Sequence, residues 1–319
     1  MMLEVQEHGL EQKSPQANRC PGCDSQSWEL LLKAPDRFHG RDELFELLRC
    51  TNCRLTWLHN APKAEDMWQH YGTAYDKAIS QGGDSSPEHW RGRNETLAKY
   101  KACGNILDLG CSSGSFLSSL PAGKWNLFGI EMSAEVAKKA KDRCGVDIFV
   151  GDILDADFPE ASFDAITCFH VFEHLYRPKE ILKRVSYWLK PGGIFYTIMP
   201  NIDSAAAHVF KSYWYALELP RHLFHYSPAS LAYLANAVGL KTTSLRTERE
   251  VFFEQSSRYI LDDTLKKIGI KRQPLATAPA PGLPFRILRK AFRMTALPVI
   301  RTAIGFAGDR ESIHAIFSK

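Results

Sequence analysis

Short apolar runs recur through the middle of the chain, at Ile106 to Leu109, Leu127 to Ile130, Ile148 to Val150, Phe163 to Cys168 and Ile194 to Met199. Between them the apolar positions shift to helical spacing, as in Ala134 to Arg143 and Lys179 to Leu189. Buried strands alternating with amphipathic helices predict an α/β, doubly wound and mostly parallel sheet with helices on both faces. Pro191-Gly192-Gly193 ends the second helix, because proline cannot continue it and glycine caps it, and leads into the strand at Ile194. Ser312 to Ser318 is expected to return as an antiparallel last strand beside Lys241 to Arg246, completing seven strands. Upstream, Trp28 to Leu32 is strand-like. Ala61 to Cys103 reads as mostly helical, with a loop at Gln81 to Pro87 and a helix starting near Pro87. No internal repeat is present.

Composition adds little until charge is placed along the chain. A length of 319 residues at 45% apolar and 24% charged suits one large domain plus a small module. Met1 to Pro15 lacks the cationic and apolar regions of a secretory signal, and no apolar run approaches membrane-spanning length, so the cytoplasm is expected. The net charge of +4 is uneven: nine Lys/Arg and no acid lie between Thr264 and Gly308, leaving 31 basic against 36 acidic residues elsewhere. Gln273 to Pro284 is a Pro/Ala-rich linker, and Phe285 to Phe306 interleaves Arg286, Lys290 and Arg293 with a stripe of Phe285, Leu288 and Phe292. Two readings stay open for residues 285–306: an amphipathic helix in peripheral contact with an anionic inner-membrane surface, or a helix packed on the domain with its arginines in water. Nucleic acid is not an expected partner, since basic residues alone recognise no base.

Cys20-Pro-Gly-Cys23 and Cys50-Thr-Asn-Cys53 form two Cys-x-x-Cys knuckles, while the other four cysteines are scattered singly. Two such pairs predict a structural zinc ribbon in which Cys20, Cys23, Cys50 and Cys53 hold one Zn²⁺ with no open position for substrate. The expected division is a zinc ribbon at 1–60, a helical cap at 61–104, the core at 105–255, a basic amphipathic insertion at 256–308 and the last core strand at 309–319.

The run Ile106 to Leu109 ends in Gly110-Cys111-Ser112-Ser113-Gly114, and Glu131 closes the next run. Glycines permit a sharp turn with close backbone approach, and an acid at the tip of the following strand is placed to accept ribose hydroxyls. A dinucleotide site wants Gly-x-Gly-x-x-Gly, which Ser112 interrupts. The same residues match the Gly-x-Ser-x-Gly elbow of a serine hydrolase, which stands as a further alternative although knuckles and helices occupy the upstream region where its earlier strands and oxyanion loop belong.

Leu107 to Gly114 resembles the first motif of class I S-adenosylmethionine-dependent methyltransferases, a Rossmann-like family. Gly129-Ile130-Glu131-Met132-Ser133 resembles the second, Gly151-Asp152-Ile153 the third, and Phe163 to Ile166 followed by Phe169 to Leu175 the fourth strand and its exit loop. Leu189 to Gly193 matches the turn into the fifth. Leu219 to Pro228, taken with the knuckles, is similar to a bacterial subgroup that joins a zinc ribbon to this core. The resemblance implies S-adenosyl-L-methionine held by Asp108, Gly110, Ser112, Gly114, Glu131, Met132, Asp152, Ile153 and Phe169, with Glu131 on the ribose, Met132 beside the adenine and Asp152 on its amino group.

A sulfonium methyl needs only an aligned nucleophile, exclusion of water and removal of a proton. His170, Glu173 and His174 crowd the exit loop at the carboxyl edge of the sheet, with His170 the candidate base and Glu173 its orienting carboxylate. His170 and His174, four apart, would share a face on a helical turn. The trio alternatively fits a divalent-metal site resembling that proposed for some quinone O-methyltransferases. His222 and His225, with Arg221, form a second candidate cluster in which Arg221 could clamp an acidic group. The Asn/Asp-Pro-Pro-Tyr/Phe motif of amine methylation is replaced by Cys168-Phe169-His170-Val171, which favours an oxygen or carbon nucleophile on a small, sugar or lipid-linked acceptor. The rival reading is a zinc-ribbon binding module on a catalytically silent fold.

Overall fold

The computed structural model describes residues 19–71, 87–250, 252–267 and 310–319, with isolated positions between 269 and 302. The basic stretch 285–306 lies almost wholly outside the described residues. The N-terminal cysteines flank three antiparallel strands, Cys20 and Cys23 before the first and Cys50 and Cys53 at the turn between the last two: β1 (Trp28–Pro35), β2 (Leu44–Cys50) and β3 (Thr56–Leu58). A 3₁₀ turn at Ala64–His70 follows, then α1 (Pro87–Tyr100) leads into the central sheet.

That sheet is built from β4 (Gly104–Leu109), β5 (Trp125–Glu131), β6 (Ile148–Val150), β7 (Phe163–Phe169), β8 (Leu189–Pro200), β10 (Lys241–Glu248) and β11 (Ser312–Ser318), in the order β10-β11-β8-β7-β4-β5-β6. β4 to β8 pair in parallel, and β11 runs antiparallel to both β8 and β10. The seven strands, the Rossmann-like order and the single reversed strand follow the sequence pattern. Because β4 has β5 on one side and β7 on the other, the connections leaving its carboxyl end diverge and open a crevice there.

The helices form for readable reasons. α2 (Ser115–Ser118) is one turn after the glycine loop, and α3 (Ala134–Cys144) starts at Ser133, whose side chain accepts the Val136 N–H, and stops at left-handed Gly145. α4 (Pro178–Trp188) opens with proline and buries Ile181, Leu182, Val185 and Trp188 along one face. Trp188 packs edge-on against Phe158 with ring centroids 5.5 Å apart, and Phe158 meets Phe163 of β7 at 5.1 Å. α5 (Ala205–Phe210), α6 (Pro228–Asn236) and α7 (Phe252–Lys267) complete the described helices, α6 being fixed by a reciprocal Ser227/Ser230 capping box.

Two features depart from the sequence pattern. Pro191-Gly192-Gly193 does not precede β8 but lies inside it: the strand starts at Leu189, Gly192 takes φ +74° and Gly193 is packed so that a Cβ would sit 2.9 Å from Lys190 O and 3.0 Å from Phe163 O. Backbone from the end of β11 closes this stretch, Lys319 N donating to Gly193 O at 3.1 Å. The cysteine-bearing sheet is likewise four-stranded, its last member being β9 (Phe224–His225) from deep within the core, in the order β1-β2-β3-β9. Trp57 of β3 and Phe224 of β9 are both buried, and one continuous apolar cluster runs from Cys20 and Trp57 through Phe172 to Leu234.

Candidate functional site

The turn after β4 is held open by backbone conformation. Gly110 and Gly114 have φ of +72° and +74°, and Ser112 itself stands at +49°. The close approaches that exclude a Cβ are made by the protein: at Gly110 it would meet Val171 at 2.6 Å, and at Gly114 Cys144 at 2.8 Å. These glycines thus bring the turn against the exit loop of β7 and against α3, and shape the crevice from behind. Gly110 N and Cys111 N donate to Ile130 O at 2.9 and 3.0 Å, tying the turn to β5.

Glu131, at the end of β5, accepts the Ser112 N–H at 3.1 Å through one oxygen and the Ser133 N–H at 2.9 Å through the other. The glycine turn and the acid therefore face one crevice. Met132 beside it is 68% exposed, an uncovered apolar side chain at the lip. Asp152 caps the short turn Ile153–Asp155 by accepting the Leu154 N–H at 2.8 Å, and Ile153 is buried beneath. Asp108 is buried and accepts from Thr167 Oγ1 at 2.6 Å. Burial pushes its carboxyl up to about 7 against that hydrogen bond. Phe169 closes the far side, packed edge-on against Phe116 of α2 and Tyr196 of β8, each at 5.0 Å.

The exit loop corrects one expectation. His170 has φ +55°, which breaks helical continuity, so His170 and His174 do not stack on one turn. Instead His170 Nδ1 lies 3.6 Å from Glu173 Oε1, with His170 36% exposed and Glu173 buried. His174 turns the other way, its Nδ1 at 3.0 Å from Arg221 O and its ring edge-on to His222 at 4.6 Å. His222 Nδ1 in turn sits 2.9 Å from Ala216 O. Ligand atoms of Glu173, His174 and His222 lie within 4.8 Å of one another, a group able to hold a cation in which His222 replaces the expected His170. Burial acts to raise Glu173, but the surrounding imidazoles of His170, His174 and His222 prevail and hold it at about 2. Burial and neighbouring His222 push His174 down to about 4.

Arg221 and His225 belong to the interior. The Arg221 guanidinium is fully buried, 3.0 Å from both His39 Nδ1 and His70 O, 3.2 Å from Glu218 Oε1 and over the Phe38 ring. It joins the cysteine-bearing sheet to the core, and the expectation that it clamps an acidic ligand is overturned by that enclosure. His225, on β9, has Nε2 at 3.1 Å from Leu217 O and is held near 3, chiefly by burial.

The four knuckle cysteines converge as free thiols. Cys20 and Cys53 sulfurs are 3.5 Å apart, Cys23 and Cys50 sulfurs 3.6 Å, and all four lie within 4.8 Å of one another. Zinc–sulfur bonds of about 2.3 Å in a tetrahedron require sulfurs about 3.8 Å apart, so the set fits. Backbone N–H groups of Gly22, Asn52 and Cys53 point at the sulfurs at 3.4 to 3.5 Å, as thiolates need. A Cβ on Gly22 would come within 2.9 Å of Leu55 and Leu234, so the first knuckle is packed directly on α6.

The helix expected near Pro87 is present as α1, but the sequence did not single out Trp90 or Arg93 on it as site residues. Trp90 Nε1 donates to Ser115 Oγ at 3.0 Å, and Arg93 lies across the Trp90 and Phe169 rings at 4.8 and 5.6 Å. Nothing in the helical pattern of these residues marks them, and only the tertiary contact with Phe169 gives Arg93 meaning.

A family described as methyltransferase domain matches residues 86–245. The ubiquinone biosynthesis O-methyltransferase of Paraburkholderia phymatum is 30% identical over 154 residues, covering 44% of this chain and 66% of that protein. Its counterpart from Xanthomonas oryzae pv. oryzae is 32% identical over 145 residues, covering 41% and 61%. The chain thus spans just under two thirds of these relatives. Among solved structures, a Bacillus halodurans C-125 chain provisionally assigned as a methyltransferase aligns with a TM-score of 0.50 at 15% identity, covering 72% of this chain and 97% of that one, a likeness of fold. Among the described residues no helix is long and apolar enough to cross a membrane.

The buried histidines make stability depend on acid. His225 and His314 are held near 3 and 4 against an ordinary 6.5, both chiefly by burial. Depressed folded values mean that the unfolded chain takes up these protons first. Their contribution is complete above 6.5 and is lost as pH falls toward 4 and then 3, at up to about 1.4 kcal/mol per pH unit for each histidine. Urea midpoints measured from pH 7 to 4 should fall accordingly, and His225→Gln should flatten the slope by about one proton; an unchanged slope would refute the assignment.

Proposed function

The chain belongs to the methyltransferase-domain family, and from that premise we propose that it transfers a methyl group from S-adenosyl-L-methionine to an oxygen or carbon nucleophile of a small, sugar or lipid-linked acceptor. The observation that carries this reading is Glu131 at the tip of β5, hydrogen-bonded at 3.1 Å to the N–H of Ser112 in the glycine turn. A nucleoside carboxylate and a phosphate-free glycine turn then share one crevice at the carboxyl edge of the sheet. The names of the O-methyltransferase relatives favour oxygen over carbon.

The bound cofactor supplies an electrophilic methyl on a sulfonium. Glu131 accepts ribose hydroxyls, Met132 covers the adenine and Asp152 receives its amino group. Asp108 stays in the buried floor with Thr167, its proton retained to near neutrality. His170 stands at the edge of the same crevice as general base: with its Nδ1 proton directed at Glu173, the Nε2 lone pair is presented to the acceptor hydroxyl. Glu173 stabilises the imidazolium that results, as an orienting carboxylate does in hydrolytic triads.

A second reading of the same loop rests on Glu173, His174 and His222. Both Glu173 oxygens lack a hydrogen-bond partner, and the Nδ1 atoms of both histidines are engaged by backbone carbonyls, which leaves each Nε2 as the ligand atom. Glu173, His174 and His222 would hold a divalent cation there, which would satisfy the buried carboxylate and supply Lewis-acid polarisation. The knuckle cysteines Cys20, Cys23, Cys50 and Cys53 hold a structural zinc.

S-Adenosylhomocysteine should bind the intact protein calorimetrically, and Glu131→Ala should weaken it about tenfold or more through loss of charge-assisted hydrogen bonds. No heat with folded wild-type protein would remove the enzymatic reading. Labelled cofactor incubated with lipid, sugar and quinone fractions should mark one of them, and His170→Gln should slow that transfer by roughly 10² to 10⁴ with little change in homocysteine-product affinity. Elemental analysis should return one zinc per chain, lost in Cys50→Ser. A second metal equivalent that disappears in Glu173→Gln supports the cation at the exit loop, and zinc alone excludes it.

A further inference from the structure

Beneath α1 a chain of buried hydrogen bonds ends on an imidazole whose last donor is unused. Arg246 Nη2 of β10 donates to Thr96 Oγ1 at 3.2 Å, Thr96 is bonded in turn to the Tyr196 hydroxyl of β8, and Tyr196 Oη lies 3.3 Å from His314 Nδ1 of β11. Thr96, Tyr196 and His314 are all buried. Burial pushes the Tyr196 phenol up to about 12, so it keeps its proton and donates it to Nδ1. Burial, with the cations of Arg93 and Arg246 nearby, pushes His314 down to about 4, so the imidazole is neutral and its one proton sits on Nε2. That Nε2 is buried and has no hydrogen-bond partner among the described residues. Glu248 Oε2 of β10 stands 3.5 Å off, on a half-exposed side chain. A donor chain built in the interior and left open at its last link is short of an acceptor atom.

Strand register puts this link beside the crevice. Ile198 of β8 is opposite Phe169 on one side and His314 on the other, so the three side chains stand in a row on one face of the sheet, the face that α1 covers. Phe169 immediately precedes His170, whose N–H donates to Ile198 O at 2.8 Å. A group held at His314 Nε2 is therefore on the same side of the sheet edge as the proposed base. The group that accepts from Nε2–H and donates to Glu248 through one atom is a hydroxyl; a carbonyl would leave the carboxylate unanswered, and an ammonium would face the imidazole proton. We propose that His314 and Glu248 form a hydroxyl-binding subsite for the acceptor, so that the last two strands of the chain select which oxygen-bearing ring is held against His170. The inference rests on the methyl-transfer reading above and adds the residues that orient the acceptor. Two ligands carry that chemistry: a hydroxyl on a flat aromatic ring, and one on a puckered saturated ring.

Protein saturated with S-adenosylhomocysteine, titrated calorimetrically with phenol against anisole and with cyclohexanol against cyclohexyl methyl ether, separates the two. The favoured alcohol should bind about fivefold or more tighter than its ether, which cannot donate to Glu248, and should shift the Nε2 resonance of His314 in ring-nitrogen NMR spectra. His314→Phe should lose about fivefold on that alcohol, and His314→Gln, whose amide N–H reaches the same point, should regain it. Glu248→Met should level alcohol and ether. Alcohol and ether bound alike by wild-type protein in both pairs, the result if water alone fills the subsite, would overturn the assignment, as would an alcohol affinity unchanged in His314→Phe. If His314→Phe does not fold, the His314 resonance and Glu248→Met decide in its place. Wild-type protein that binds no S-adenosylhomocysteine would remove the cofactor reading, and the same pairs titrated into the cofactor-free protein would still judge the subsite.

Discussion

The carboxylate of Glu131 held by the Ser112 N–H fixes the relation between the ends of two neighbouring strands. β4 must turn back sharply to bring Ser112 there, which is why its exit passes through three alternate left-handed positions at residues 110, 112 and 114. Val171 and Cys144 then fill the space that side chains on the glycines would take. The exit loop of β7 is thereby pressed against the same turn, and His170 and Glu173 arrive at the crevice as a consequence of backbone geometry. The proposed cofactor crevice and the proposed acid–base pair are then two faces of one packing solution.

The histidine cluster depends on a different contact. Leu223 N donates to Glu173 O and Leu58 N to Leu223 O, both at 2.8 Å, so the segment bearing Arg221 and His222 is sandwiched between the cysteine-bearing sheet and the exit loop. Lys179 and Asp24 at 2.8 Å, and Arg49 and Asp203 at 3.0 Å, add ionic links across the same boundary. The exposed Lys179–Asp24 link contributes little energy, whereas Arg49 is buried at its end of the second link and the apolar continuity from Trp57 to Phe172 is buried and substantial. The knuckles therefore act on the exit loop through the strand they share with the core.

Much of this was visible in the chain because its signals are local. The strand order β4, β5, β7 follows from apolar runs and their punctuation, Glu131 from its place at a strand tip, and the thiol cluster from paired spacing. What escaped is what depends on distant residues. Two-residue β9 has no periodicity of its own and exists only because Thr56 and Trp57 pair with it. Arg221 sits in a polar run that looks exposed, and its burial depends on Asp36, His39 and His70, all far upstream. Arg93 is unremarkable until Phe169 is placed beneath it. The four-residue spacing of His170 and His174 suggested a shared face, and the left-handed conformation of His170 that prevents it leaves no mark in the pattern.

The borrowed strand also sets an order of events in time. β1, β2 and β3 leave the ribosome early and bring all four thiols within reach, yet the edge of β3 stays unpaired until residue 225 has been made. Throughout that interval the nascent chain presents a naked backbone ladder beside the buried face of Trp57, a surface open to wrong partners. Early capture of a metal by the knuckles would hold the three strands in register while synthesis catches up, so that the last strand adds to a finished template.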